Sequence, residues 1–299
     1  MPRGNRLEEN LKNLIIENDN LIALEELLPV YEGKVDVMPI DPPYNTDISH
    51  IGYKDSGYAD GWVAFMRPRL ELAYRLLSPT GVMFIHIDES EFANLWTLCS
   101  EIFGGHNLIS MIWKKTNPMF DANRKEKPLE SGLRRTHEFI VVCFKDRANT
   151  TLAPVMQPYL NGSVLEERLQ PLETVVDFMG TTASAKDELA ELLGEYGLFA
   201  TPKPVKMIQE FIRSVGNPNA LVMDFFAGSG TTGHATLALN NEDGGQRRFI
   251  LIINNESDIC KRVTVPRVRA AMERYGRKDS ESSQAERDDD VRILFNTVN

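Results

Sequence analysis

A strand, a glycine turn and a helix follow one another in Leu221-Val222-Met223-Asp224-Phe225-Phe226-Ala227-Gly228-Ser229-Gly230-Thr231-Thr232-Gly233. Similar short apolar runs recur along the chain and alternate with segments of helical spacing, as is typical of strands buried on both faces of a sheet. The predicted strands are Leu14–Glu17, Val35–Ile40, Val82–Ile87, Leu108–Trp113, Phe139–Phe144, Leu221–Phe226 and Phe249–Ile253. The predicted helices are Trp62–Leu77, Glu91–Phe103, Ala185–Leu193, Val205–Val215, Thr231–Asn240 and Asp258–Tyr275. This alternation predicts a doubly wound α/β sheet with its ligands at the carboxyl ends of the strands.

The same run carries a candidate ligand-binding turn. Gly228, Gly230 and Gly233 have the G-x-G-x-x-G spacing of dinucleotide-binding turns, whose open helix start attracts phosphate. Asp224 would lie close to such a phosphate and repel it, whereas it would favour a cation such as the ammonium of an amino acid. S-adenosylmethionine carries that ammonium and has no phosphate. The alternative is that the glycines only allow the helix to pack closely on its strand.

A second segment, Asp41-Pro42-Pro43-Tyr44-Asn45, follows the predicted strand Val35–Ile40. Its two prolines fix two φ angles and remove two backbone donors, which makes the segment rigid. The Asp41 carboxylate and the Pro42 carbonyl are acceptors for an exocyclic amine, and the Tyr44 ring offers a face for stacking. We therefore expect an adenine taken out of its duplex as the ligand. The alternative is a strand end in which the prolines and the asparagine only mark a turn.

Together these segments resemble the amino-methyltransferases of DNA, in particular the modification-subunit family of type III restriction systems. The resemblance covers residues 12–275 and extends to several motifs. These motifs are Asn13–Asn20, Asp41–Thr46, Phe65–Leu70, Leu76–Asp88, Gly180–Lys186, Thr201–Pro204, Asp224–His234 and Glu242–Leu251. Because the Asp-Pro-Pro-Tyr segment precedes the glycine turn, the order is similar to that of the β group, whose catalytic half comes first. The aspartate at the first motif position resembles adenine methylases more than the cytosine-N4 enzymes, which have Ser-Pro-Pro-Tyr.

The resemblance implies a site-specific enzyme that transfers the methyl group of S-adenosylmethionine to the N6 amine of an adenine flipped out of DNA. It implies a seven-stranded mixed sheet of the Rossmann-like methyltransferase type with a small inserted target-recognition region. The catalytic residues would be Asp41, Pro42, Pro43 and Tyr44. The cofactor-binding residues would be Asp19, Thr201, Lys203, Pro204, Asp224, Phe225, Phe226, Gly228, Gly230, Thr231, Asn254 and Glu256. Asp19 would approach the adenine of the cofactor or form a local turn, and Asn254 or Glu256 would replace the family's ribose-binding acid.

We divide the chain into four regions. Residues 1–145 are the catalytic half, residues 146–199 the target-recognition insert, residues 200–275 the cofactor-binding half, and residues 276–299 an acidic connector and tail. The catalytic half contains a basic loop at 114–135, with seven basic residues against three acidic ones. These basic residues are the expected DNA contacts, namely Lys114, Lys115, Arg124, Lys125, Lys127, Arg134 and Arg135. The alternative is a solvated loop without a partner.

Composition limits the class of protein. The 299 residues are 42% hydrophobic and 25% charged, which is enough to bury a full core. The net charge of −10 argues against a protein that simply coats DNA, because duplex affinity comes largely from neutralising phosphates. No apolar run reaches the length of a membrane span, and three widely spaced cysteines indicate neither a disulfide framework nor a metal site. We therefore expect a cytoplasmic protein without membrane contact. The family resemblance implies double-stranded DNA as a partner and, in a type III-like system, a restriction subunit, and we expect a homodimer.

Other functions stay open at the level of sequence. A cytosine-N4 methylase needs only a smaller pocket at the same site, and an RNA or protein-amide methylase could use a similar Pro-Pro-Tyr segment. The chain could also be a DNA-binding specificity partner without turnover, since Asn18 stands where the family usually has glycine and the ribose-binding acid is missing. A nicotinamide dehydrogenase is disfavoured by Asp224 and by the lack of an acidic residue at the end of Phe249–Ile253.

Overall fold

The computed structural model describes residues 13–46, 61–116, 133, 135–254, 256–276 and 291–295. These residues form a nine-stranded sheet with helices on both faces and a separate two-stranded sheet. The strands are β1 (Asn13–Glu17), β2 (Val35–Ile40), β3 (Leu77–Ile87), β4 (Leu108–Trp113), β5 (Glu138–Phe144), β6 (Val155–Asn161), β7 (Val164–Gln170), β8 (Val175–Val176), β9 (Leu221–Asp224), β10 (Arg248–Ile253) and β11 (Val291–Phe295). The helices are α1 (Asn20–Tyr31), α2 (Trp62–Leu76), α3 (Phe92–Phe103), α4 (Thr182–Leu193), α5 (Val205–Ser214), α6 (Thr231–Asp243) and α7 (Val265–Tyr275).

The strand order in the large sheet is β11-β1-β10-β9-β2-β3-β5-β4-β8. Neighbours run parallel except at β5, which is antiparallel to both β3 and β4. The doubly wound mixed sheet is therefore confirmed, and all seven predicted strands are present. The expected count of seven is wrong, because β8 and β11 extend the sheet at its two edges. Strand β11 lies inside the segment that the sequence suggested was a connector and tail, and it pairs with β1 from Asn13↔Val291 to Glu17↔Phe295.

Each face of the large sheet packs on its own layer of helices, because successive strand residues point to opposite faces. In β2, Met38 and Ile40 belong to the core shared with α1, α2 and α3, whereas Val37 belongs to the core shared with α4, α5, α6 and α7. Burying one such side chain contributes roughly 1.5–3 kcal/mol. A one-residue slip of β2 would exchange the two faces, so the cores fix where the residues after the strand emerge.

The neighbouring strands β9 and β2 lie where the winding of the sheet changes direction. Strand β9 continues through α6 to β10 on one side, and β2 continues through α2 to β3 on the other. The crevice at the carboxyl ends of such a pair is the usual ligand site of an open α/β sheet. Asp224 ends β9 and Asp41 directly follows β2, so both residues lie at this crevice.

The segment expected as an insert, residues 146–199, contains the β6–β7 hairpin, the short strand β8 and helix α4. The hairpin stands apart from the large sheet and exposes Leu160, Leu165 and Leu169 by 65%, 72% and 62%. Its role in target recognition stays a prediction. Within the described ranges, no helix has both the length and the apolar character needed to cross a lipid bilayer.

Candidate active site

A cavity of about 300 Å³ lies at the carboxyl ends of β2 and β9. Asp41 and Pro43 line it after β2, and Asp224 lines it at the end of β9. The predicted site residues in its wall are Asp19, Asp41, Pro43, Thr201, Lys203, Asp224, Phe225, Phe226, Gly228, Thr231, Asn254 and Glu256. The predicted site residues outside its wall are Pro42, Tyr44, Pro204 and Gly230. The two motifs singled out in the sequence thus meet in one cavity.

The glycine turn (Gly228–Thr231) connects β9 to α6 and forms part of the cavity wall. Gly230 has a φ of 78°, and a Cβ there would lie 3.2 Å from both the methyl and the carbonyl oxygen of Thr264. The hydroxyl of Thr264 donates to the carbonyl of Gly228 at 2.7 Å. Glycine is therefore needed at position 230 for both its backbone angle and this close approach.

The Asp224 carboxylate is buried at the start of this turn, with 5% of the residue exposed. Its Oδ2 accepts a hydrogen bond from the Thr232 hydroxyl at 2.6 Å, and its Oδ1 accepts one from the Phe226 amide at 3.0 Å. Burial raises the pKa of Asp224 to about 7, against these two hydrogen bonds, and the charge of Asp41 adds to the rise. A cation bound in the cavity would lower that pKa and would be stabilised by the carboxylate.

The two oxygens of Asp41 have different environments. Oδ1 accepts a hydrogen bond from the Tyr44 hydroxyl at 2.7 Å and pairs with the Lys203 ammonium at 2.9 Å. Among the described residues, no donor reaches Oδ2 or the carbonyl of Pro42, whereas the Trp62 indole donates to the carbonyl of Pro43 at 2.7 Å. Asp41 lines the cavity, so one carboxylate oxygen is fixed and the other is available to a ligand.

This carboxylate belongs to a partly buried ion cluster, which consists of Asp41, Tyr44, Lys115, Glu138 and Lys203. The Lys203 ammonium lies 3.0 Å from the Tyr44 hydroxyl and 3.2 Å from Glu138 Oε2. The Tyr44 hydroxyl also lies 2.9 Å from Glu138 Oε2, so its single proton is shared between the two carboxylates, and the Lys115 ammonium lies 3.1 Å from Glu138 Oε1. Two ammonium groups thus face two carboxylates, and the Tyr44 hydroxyl bridges the two acids.

The charges in the ion cluster stabilise one another. Burial alone would raise the pKa of Glu138, but the ammonium groups of Lys203 and Lys115 lower it to about 2. Burial would likewise lower the pKa of Lys203, but Asp41 and Glu138 raise it above its ordinary value. Burial raises the pKa of Asp41, although Lys203 opposes the rise. Glu138 and Lys203 are therefore charged at neutral pH, and their charges fix the position of Asp41.

Most of the remaining predicted cofactor residues line the cavity, whereas Pro204 lies outside its wall. Asp19 caps α1, with Oδ1 accepting from the Leu21 amide at 2.9 Å, while its Oδ2 pairs with Arg69 at 3.3 Å. Asp19 thus has the local structural role that was one of its two predicted roles, and it also lines the cavity. Pro204 caps α5. Thr201 lines the cavity, as do Asn254 and Glu256, which follow β10.

Several cavity or cluster residues had no functional assignment from the sequence: Asn20, Phe65, His86, Glu138 and Phe199. Glu138 joins the ion cluster because β5 pairs with β4 so that Glu138 lies opposite Trp113. A charged residue directly before the apolar run Phe139–Phe144 is the signal that could have identified it. His86 is fully buried in the cavity wall, where burial lowers its pKa to about 3, and both ring nitrogens lack a hydrogen-bond partner in the described chain. Its imidazole is therefore neutral.

The basic loop is only partly described. Arg124, Lys125, Lys127 and Arg134 lie outside the described residues. Lys114 pairs with Asp177 at 3.5 Å and is 43% exposed, and Arg135 pairs with Asp88 at 3.7 Å and with Glu89. Lys115 is bound within the ion cluster, so its charge neutralises Glu138. DNA contact by the basic loop stays a prediction.

Two curated relatives are similar to this chain over most of its length. The type III restriction-modification enzyme StyLTI Mod subunit of Salmonella typhimurium is 29% identical over 349 residues, covering 81% of this chain and 52% of the relative. The type II methyltransferase M.KpnI of Klebsiella pneumoniae is 27% identical over 357 residues, covering 83% of this chain and 84% of the relative. The chain therefore spans about half the length of the Mod subunit.

The fold and a family model agree with these relatives. The PvuII DNA methyltransferase (cytosine-N4-specific) superposes with a TM-score of 0.54 at 16% identity, covering 93% of this chain and 91% of the other, which shows a common fold. A family model for DNA methylases of the N6 and N4 type matches residues 35–264, a range that contains both motifs and the ion cluster. By its fold, its motif order and this match, the chain belongs to the DNA methylase family.

Proposed function

We propose that the protein transfers the methyl group of S-adenosylmethionine to the N6 amine of adenine in double-stranded DNA, with the adenine flipped out of the duplex. The observation that carries this proposal is that Asp41 and Asp224 line the same cavity. One carboxylate suits the amine of a base, and the other suits the ammonium of the methyl donor. Similarity to the Mod subunit of Salmonella typhimurium supports a role in restriction-modification, and similarity to M.KpnI supports methyl transfer.

The cavity fits the proposed methyl donor in charge and size. Its volume of about 300 Å³ lies at the lower end of the range for small-ligand sites. Asp224 is a buried carboxylate without a cationic partner in the described residues, and it would hold the ammonium of the amino-acid part. The apolar side chains of Phe225, Phe226 and Ile253 line the wall and suit the adenosine part. Asn254 and Glu256 are the candidates for the ribose contact.

The residues after β2 would act on the target amine. S-adenosylmethionine supplies a methyl group that is bonded to a positively charged sulfur. As the bond between the amine nitrogen and the methyl carbon forms, the carbon–sulfur bond breaks and the sulfur leaves as a neutral thioether. Oδ2 of Asp41 and the carbonyl of Pro42 would each accept a hydrogen bond from one N–H of the amine, which biases the nitrogen toward the tetrahedral geometry of the transition state. Asp41 would then take the proton that the methylated nitrogen loses. Lys203 and Tyr44 hold Oδ1, so Oδ2 stays available to the amine.

Adenine is favoured over cytosine because the motif begins with Asp41 rather than serine. The alternative, a cytosine-N4 methyltransferase, is favoured by the fold shared with the PvuII enzyme. Both bases place an exocyclic amine next to a ring acceptor, so Asp41 and Pro42 suit either one. The size of the pocket around the base decides between them, and a product analysis distinguishes the two.

The test is nucleoside analysis of DNA that has been incubated with the protein and S-adenosylmethionine. We expect N6-methyladenine by mass spectrometry. N4-methylcytosine would instead support the alternative. In a parallel incubation with methyl-labelled S-adenosylmethionine, labelled RNA or protein without labelled DNA would refute a DNA substrate.

The catalytic assignment is tested with Asp41→Ala, for which we expect no methylated DNA but nearly unchanged affinity for S-adenosylmethionine by calorimetry. The matched control is Asp187→Ala, an exposed acid on α4, which should behave like the unmodified protein. Methylation by Asp41→Ala at a near-normal rate would show that Asp41 is not the catalytic acceptor.

A further inference from the structure

A buried histidine lies in the cavity wall without a use in the mechanism described so far. His86, near the end of β3, has 0% of its surface exposed. Its ring meets Trp113 edge-on, with centroids 6.1 Å apart, and Phe211 at a tilt, with centroids 6.0 Å apart. Among the described residues, neither ring nitrogen has a hydrogen-bond partner. Buried polar groups are rarely left unpaired because this is costly, which indicates that a ligand completes the hydrogen bonding of His86.

The strand register places His86 beside Asp41, on the side that faces away from the glycine turn. Ile40 of β2 pairs with Ile85 of β3. The next residues, Asp41 and His86, therefore lie at one level of neighbouring strands, which are about 4.8 Å apart. In the order β9-β2-β3, Asp224 ends the first strand, Asp41 follows the second and His86 lies in the third. With Asp224 on the methyl donor, His86 is on the side left for the target base.

The imidazole offers what the target base still lacks on this side. A neutral imidazole has one N–H to donate and one nitrogen to accept with. The nearby ammonium of Lys203 is already held by two carboxylates and a hydroxyl group of the ion cluster. Adenine carries its acceptor N1 directly beside the N6 amine, on the edge that enzymes read once a base is flipped out. With the amine bound to Asp41, N1 needs a donor at the position next to it.

We propose that His86 binds the target base by donating its N–H to N1 of the flipped adenine, next to the amine that Asp41 holds. This inference rests on the proposed function, since it adds a contact to the same target base. The burial of His86 suits the contact, because a flipped base enters a snug pocket from which water is excluded. The contact fixes the ring in its own plane, so that the amine stays aligned for methyl transfer.

The test compares target bases with and without N1. A duplex oligonucleotide carries adenine or 1-deazaadenine at a position that the unmodified protein methylates, and 1-deazaadenine keeps the amine but has a C–H in place of N1. His86→Phe removes both ring nitrogens and keeps a flat ring. With adenine, we expect it to lower the single-turnover rate of methyl transfer roughly five- to hundredfold, the range for leaving a buried acceptor unpaired. With 1-deazaadenine, the variant and the unmodified protein should react within about twofold of each other, because both lack the contact.

Further variants show whether a loss of rate comes from this contact. His86→Gln keeps an N–H donor and should recover part of the rate with adenine. Affinity for S-adenosylhomocysteine, measured by titration calorimetry of the full chain, should change by less than about twofold in both variants. His106→Phe changes an exposed histidine and should behave like the unmodified protein. If His86→Phe does not fold, His86→Leu takes its place, since it also removes both nitrogens.

Three outcomes would overturn the contact, and they can be told apart from failure of the proposed function. Equal losses of rate with adenine and 1-deazaadenine would show that His86 has a structural role only. An unchanged rate with adenine in a folded variant without the ring nitrogens would show that no contact forms. Equal rates of variant and unmodified protein with 7-deazaadenine, but not with 1-deazaadenine, would place the contact at N7 instead of N1. If the unmodified protein itself forms no N6-methyladenine, the proposed function fails.

Discussion

Replacing Lys203 by methionine should destabilise the fold in a way that depends on pH. Lys203 is the ammonium between Asp41 and Glu138, at 2.9 Å and 3.2 Å, and only 7% of its side chain is exposed. Without it, the buried Glu138 carboxylate and the partly exposed Asp41 carboxylate would lie close together, and among the described residues the Lys115 ammonium would remain nearby. Removing one partner of a buried ion pair typically costs about 3–5 kcal/mol.

The pKa of Glu138 gives an upper limit on that cost, because Lys115 lowers this pKa together with Lys203. The folded protein holds it at about 2 against an ordinary value of 4.5, and a shift of that size corresponds to about 3 kcal/mol. Because the folded pKa is depressed, this stabilisation is fully present above the ordinary value and is lost as pH falls toward about 2. In Lys203→Met, burial would instead raise the carboxylate pKa values, and the variant would lose stability as pH rises. The free energy of unfolding that the variant loses relative to the unmodified protein is therefore larger at about pH 8 than at about pH 5.

The assay is urea denaturation followed by circular dichroism at both pH values. We expect a loss of about 3 kcal/mol at the higher pH and a smaller loss at the lower one. The control is Lys206→Met, whose ammonium pairs with exposed Glu167 at 3.0 Å and with Glu210, which Arg213 also neutralises. It should cost less than about 1 kcal/mol. A loss of the same size for both variants, or one that does not change with pH, would refute the role given to the ion cluster.

Three further predictions concern the cavity and the residues next to its wall. Affinity for S-adenosylmethionine should rise as pH increases through about 7, because the ammonium needs the charged form of Asp224. In calorimetry, Asp224→Asn should bind more weakly, with an affinity that does not change with pH. An equal pH dependence of affinity in the variant and the unmodified protein would contradict this. Gly230→Ala should lower the melting temperature, at a cost of roughly 1–2 kcal/mol for the left-handed backbone, whereas Gly105→Ala, which meets only the Ser100 hydroxyl at 3.9 Å, should not. Tyr44→Phe removes the hydroxyl that bridges Asp41 and Glu138, so it should lower kcat in a radiolabelled methyl-transfer assay more than it weakens donor binding; an unchanged kcat would show that the bridge is dispensable.

The meeting of the two motifs could be predicted because it depends only on strand order and direction. Val35–Ile40 and Leu221–Asp224 are apolar runs that form neighbouring parallel strands, so the acids at their carboxyl ends meet at one edge of the sheet. The extra edge strand β11 could not be predicted, because it follows an acidic segment and pairs with β1 at the other end of the chain. Helix α1 was not predicted either, since Pro29 interrupts its helical pattern, although Asp19 is a recognisable cap.

The ion cluster could not be predicted because it depends on side-chain directions between distant elements. Lys203 stands between two prolines in a turn, and the sequence associated that turn with the methyl donor. The structure shows that its ammonium contacts Asp41, Tyr44 and Glu138. Glu138 reaches the same place only because β5 runs antiparallel between β3 and β4. Neither contact follows from the sequence near the residue.

The most direct test of the shared cavity is a crystal structure of the protein with S-adenosylhomocysteine. We expect the ammonium of the ligand at Asp224 and its sulfur on the side that faces Asp41 and Pro42. A ligand bound elsewhere, or one whose sulfur faces away from Asp41, would contradict methyl transfer in this cavity.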